Sequence, residues 1–66
     1  PIVTKAELDG LDLGDTVFHK AFGYGQIVSL DDSYIEVAFE NDNHKKKPSR
    51  RFVFPGSFYQ GLLRIG

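Results

Sequence analysis

Two apolar, β-prone segments flank a short loop within residues 17–28, and that loop holds Gly23 and Gly25 with the ring of Tyr24 between them. Val, Ile and aromatic side chains on either side favour strands. Glycines supply the backbone angles or the close approach that a reversal needs. The run predicts two paired strands, residues 16–20 and 26–30, joined by a tight reversal over residues 21–25. A Gly-x-Gly pair can cradle phosphate when a helix N-terminus follows it directly. Here a strand follows, so both glycines are assigned to turn geometry, and the run holds no evident catalytic group.

The clearest strand is residues 34–40, where Ile35, Val37 and Phe39 alternate with Glu36, Ala38 and Glu40. A period of two gives one apolar and one wet face, so both glutamates are expected in solvent. Asp31-Asp32-Ser33 before it has turn composition. Residues 41–49 are polar, charged and contain Pro48, which predicts a loop. Residues 51–54 read as a fourth strand with Phe52 and Phe54 on one face, and residues 62–65 as a last short strand. Thr4-Lys5-Ala6-Glu7 and Ser57-Phe58-Tyr59-Gln60 both match capping boxes and predict single helical turns. In the second turn, Phe58 and Leu62 would stack four residues apart. Residues 1–13 form a lead-in or linker, from which Leu8, Leu11 and Leu13 could fold back, and residues 14–66 the domain proper.

Four or five short strands with tight turns in one small chain favour a barrel over an open sheet. Closure also hides edges that would otherwise pair with other chains. The expected fold is all-β, a small SH3-like (Tudor-like) barrel of four to five antiparallel strands with one or two short helical turns. A chain of 66 residues buries only about 60% of its unfolded surface, which leaves little room for both a core and a deep catalytic cleft. With no cysteine, neither a disulfide frame nor a thiolate zinc site can staple it. Two histidines are too few for an all-histidine metal site, so no cofactor is expected. The six Phe and three Tyr must supply much of the buried area. A formal net charge of -1 argues against a nucleic-acid-binding polycation. There is no signal-peptide pattern and no apolar run long enough to span a bilayer; a cytoplasmic home is the expectation. The small size favours a domain of a larger protein.

Gly14-Asp15-Thr16-Val17-Phe18-His19-Lys20-Ala21-Phe22-Gly23-Tyr24-Gly25-Gln26-Ile27-Val28 resembles the G-D-x-V-x-H-x-x-F-G-x-G-x-V pattern at the C-terminus of UvrD/PcrA-type DNA helicases. That region of the family is a Tudor-like barrel appended to the motor. Tyr34-Ile35-Glu36-Val37-Ala38-Phe39 is similar to the family's next strand, and Phe52-Val53-Phe54-Pro55 more loosely to its closing portion. The resemblance implies a non-catalytic accessory domain of a bacterial nucleic-acid-processing protein, docking on a protein partner such as RNA polymerase. The basic loop at residues 41–51 and the aromatic tail at residues 52–59 depart from the family pattern.

Two surfaces follow. The first hairpin offers Phe18, Lys20, Phe22 and Tyr24 for protein docking. Lys45, Lys46, Lys47, Arg50 and Arg51 hold five of the eight cationic residues within seven positions. Such a patch could attract phosphate backbones without sequence readout, grip carboxylates on a protein, or simply be solvated. A purely structural role is the remaining alternative. His19 lacks a nucleophile or orienting carboxylate; the expectation is a structural ring donating to a backbone carbonyl. His44, among charges, is expected in solvent. Rings expected outside the core are Phe18, Phe22, Tyr24, Tyr34 and Tyr59. A complete aromatic cage for a methylated cation is not evident in the sequence.

Overall fold

Alternation along β3 (Tyr34–Phe39) sets the core, because Ile35, Val37 and Phe39 all turn inward and are buried. The computed structural model describes residues 3–40 and 49–66. Around β3 lie β1 (Thr16–His19), β2 (Gly23–Leu30), β4 (Ser49–Val53) and β5 (Leu63–Ile65), with short helices α1 (Lys5–Asp9) and α2 (Gly56–Tyr59). The strands form one antiparallel sheet in the order β4-β3-β2-β1-β5. It curls into a half-barrel, the small SH3-like architecture expected. Val17, Ile27 and Leu63 meet the β3 residues inside, and Leu8 and Phe58 from the helices complete the core.

The first hairpin is tighter than expected. Thr16 pairs with Gln26, Val17 with Gly25, Phe18 with Tyr24 and His19 with Gly23. Both glycines therefore belong to β2, and the reversal occupies Lys20, Ala21 and Phe22 alone. Gly23 closes it with φ +84°, as three-residue hairpin loops commonly do. Gly25 serves a different need. It is buried opposite Phe39, and a Cβ there would sit 2.7 Å from the Ala38 carbonyl oxygen.

Further along β2, Ile27 pairs with Val37 but Ser29 pairs with Glu36, so Val28 is a bulge. One extra residue reverses which parity faces the core. Before it Gly25 and Ile27 point inward; after it Leu30 does, packing on the core opposite Ile35. Ser29 is left outside.

The lead-in is part of the packing. Thr4 Oγ1 accepts from the Glu7 N–H at 3.2 Å and Glu7 Oε1 accepts from the Thr4 N–H at 3.1 Å, the expected capping box. It orients α1 so that Leu8 enters the core and Leu11 packs beside it, whereas Leu13 stays exposed. The second box is not formed. α2 begins at Gly56 behind Pro55 without a side-chain cap, and Ser57 is buried inside it. Phe58 is a core residue, but the chain leaves the helix through Gly61 at φ +81°. Leu62 consequently lies beyond the helix at the surface, and the expected Phe58–Leu62 face does not exist. β4 starts and ends earlier than the expected 51–54 because Ser49 already pairs with Ala38. Phe52 and Phe54 nevertheless both pack on the core, as their spacing implied. No helix among the described residues is long and apolar enough to cross a membrane.

Candidate functional site

The hairpin has two faces, and it divides the expected docking residues between them. Phe18 and Tyr24 are register partners on the convex side. Their rings meet edge to face at 4.9 Å, and Tyr24 remains 54% exposed. β5 lies against β1 with Arg64 opposite Phe18. Together Phe18, Tyr24, Arg64, Ile65 and Gly66 line an open groove of about 310 Å³. Among the described residues Arg64 makes no salt bridge. The groove thus offers an apolar aromatic wall and a cation with no carboxylate partner there. Lys20 is exposed at the tip.

Phe22 belongs to the other face. It packs on the core, with its ring centroid 4.5 Å from that of His19 and 5.3 Å from that of Phe39. His19 also stacks on Phe52 at 5.4 Å and meets Phe39 edge-on at 6.0 Å. The guanidinium carbon of Arg50 lies 4.0 Å from the Phe22 ring centroid, a close cation–π distance. His19 is only 9% exposed. Its Nδ1 accepts a hydrogen bond from the Ala21 N–H at 3.0 Å, so the expectation of a donor to a carbonyl is corrected. Burial, then the charges of Lys20 and Arg50, hold its pKa below the ordinary 6.5.

Residues 50 and 51 are neighbours in β4, and successive strand residues face opposite ways. Arg50 pairs with buried Val37 and turns to the ring cluster; Arg51 pairs with Glu36 and lies 5.5 Å from the Tyr34 ring centroid. The two arginines do not act as one patch. Lys45, Lys46, Lys47 and His44 lie outside the described residues. Glu36, expected in solvent, is half-buried and accepts from Ser49 Oγ at 2.5 Å, while Glu40 is exposed as expected. Tyr34 and Tyr59 are exposed, whereas Phe18 and Phe22 are only partly so.

Asp31 Oδ1 accepts from the Ser33 and Tyr34 N–H groups, both at 2.8 Å, which is turn chemistry. Those two N–H groups hold its carboxyl below the usual range. Among the described residues no three His, Asp or Glu side chains could hold a metal ion. A second shallow groove, about 250 Å³, runs between the lead-in and β5 over Val3, Glu7, Phe58 and Leu63. Arg64 was not singled out from the sequence. Its place beside Phe18 depends on a pairing between the two ends of the chain, and no local pattern announces that. Comparison with family models, with curated proteins and with solved structures finds no match.

Proposed function

We propose that this chain is a non-catalytic protein-interaction module. Its docking surface is the convex face of the β1–β2–β5 sheet, with Tyr24 and Phe18 as the aromatic anchor and Lys20 at the rim. The observation that carries this reading is the Phe18–Tyr24 ring pair, with Tyr24 exposed and Phe18 partly so, in an open groove beside Arg64. Aromatic rings next to an arginine are the residue types that dominate protein interfaces. The partner would supply an apolar side chain to the rings and a carboxylate to Arg64, the pairing that guanidinium geometry favours. Phe22 acts from behind, by fixing the tip through the ring cluster.

The resemblance of the hairpin to the helicase accessory domain extends the proposal. The module would belong to a larger bacterial, cytoplasmic nucleic-acid-processing protein and dock it on RNA polymerase. The test is capture of the chain by immobilised RNA polymerase, comparing wild type with Tyr24→Ala and Arg64→Glu. Retention should fall at least about tenfold in each variant, the loss of one interface hot spot. Equal retention of all three would refute the surface, and no retention of wild type would refute the named partner.

Direct, sequence-independent nucleic-acid binding through Lys45, Lys46, Lys47, Arg50 and Arg51 has less support. Arg50 is engaged with Phe22, and Arg51 faces the opposite side. A salt titration against labelled DNA and RNA separates the readings, because phosphate binding weakens steeply with salt.

A further inference from the structure

His19 stands at the last pair of the β1–β2 ladder, opposite Gly23, where the strands give way to the three-residue turn. The hydrogen bond recorded between this side chain and that turn runs from the Ala21 N–H to Nδ1. An imidazole nitrogen accepts only through its lone pair, so the proton of the neutral ring is on Nε2. An imidazolium has no such lone pair, because both nitrogens carry hydrogen. Protonation would set two N–H groups against each other 3.0 Å apart.

The surroundings do not compensate for that loss. From the turn, Lys20 brings a second positive charge, and from β4, Arg50 brings a third. Phe22, Phe39 and Phe52 surround the ring and do not titrate, and Leu63 faces it from β5. Among the described residues no carboxylate forms an ion pair with it. The Phe22 and Phe52 faces attract a cation, but Arg50 already lies over Phe22.

We infer that His19 is a proton-operated latch: the neutral ring holds the hairpin tip against the sheet, and its protonation releases Lys20, Ala21 and Phe22. In the proposed function, Lys20 at the rim of the docking surface and Phe22, which fixes the tip from behind, both lie in that tip, so the latch would tie docking to acidity. Only this regulatory use rests on the docking role, because the latch itself is read in the free chain.

The test is a nuclear magnetic resonance titration of the wild-type chain from about pH 8 to about pH 5. At neutral pH the nitrogen spectrum should give His19 as the Nε2–H tautomer. The Ala21 and Phe22 amide resonances should then move with the same midpoint as the His19 ring, below 6.5. Exchange protection of the Ala21 amide should fall by up to about tenfold for each unit that this midpoint lies below its unperturbed value. His44→Ala should leave the midpoint in place. His19→Asn, whose Oδ1 can stand in for Nδ1 without titrating, should abolish it. An Nδ1–H tautomer at neutral pH, or tip amides unmoved through the His19 titration, would overturn the latch. Both observations are made on wild type, so the stability of His19→Asn does not limit the test.

Discussion

Gly25→Ala should be among the most damaging small substitutions in this chain. The added Cβ would lie 2.7 Å from the Ala38 carbonyl oxygen, 2.7 Å from Val37 Cγ1 and 2.9 Å from Phe39 Cδ1. None of these can retreat easily. The first is backbone in the β3 ladder, and the others belong to side chains 0% and 2% exposed. Overpacking by one carbon typically costs about 1–3 kcal/mol, and three simultaneous clashes place this case at the upper end. Relief of the glycine's unfolded-state entropy returns about 0.4–1 kcal/mol, leaving a net loss of about 2–2.5 kcal/mol. For a domain this small that is a fall in melting temperature of roughly 10–20 °C. Gly23→Ala is the matched control. Nothing lies within 4 Å of its Cβ, but φ is +84°, which costs about 1–2 kcal/mol for an alanine, against the same entropic gain. Thermal and urea melts followed by circular dichroism give both values. If Gly25→Ala loses less than Gly23→Ala, Gly25 is not a site of close approach, and the packing of Phe39 against β2 is wrongly described.

Three further outcomes follow from the same geometry. Tyr24→Ala should lower the stability read from urea melts by about 0.5–1.5 kcal/mol, the worth of its edge-to-face pair with Phe18, while removing partner capture; a larger loss would make Tyr24 a structural ring. The stability difference between wild type and His19→Asn should depend on pH. The folded-state pKa of His19 lies below 6.5, so the unfolded chain binds the proton more readily. Wild type should therefore keep its full advantage above that value and lose it as pH falls towards the folded midpoint; urea melts showing a constant difference across that range would contradict this. Thr4→Ala removes the capping box and should cost about 1 kcal/mol, seen as a lower thermal midpoint; an unchanged midpoint would mean that α1 does not hold Leu8 in place.

Much of this architecture was legible because it is local. Alternation at Ile35, Val37 and Phe39 fixes an inward face whatever lies around it, and Thr4 and Glu7 satisfy each other across one turn. The structure departs from the local pattern where a residue answers to a distant neighbour. By local pattern Gly25 belongs to the reversal, yet its lack of a side chain is needed for Val37, Ala38 and Phe39 on the next strand. Ser57 matched a cap but is buried behind Pro55. Adjacent arginines at 50 and 51 looked like one patch, although a strand sends them to opposite sides. On the candidate surface, Phe18 and Tyr24 are both legible as hairpin residues, but their pairing follows from β2 beginning at Gly23 rather than after the expected reversal, and Arg64 joins them only because β5 returns to the edge of β1.

The additional residue at Val28 makes β2 two short ribbons set end to end rather than one uniform ladder. One ribbon serves the histidine and phenylalanine layer; the other closes over Ile35 through Leu30. Were Val28 to pair with Glu36 in a uniform ladder, Ser29 would face the interior and Leu30 the water; deleting Val28 would instead leave Ile27, Ser29 and Leu30 facing as they do now. That one irregular position lets a leucine rather than a serine seal the far end of the sheet, while Tyr24 and His19 keep the facing that regular alternation sets in the hairpin.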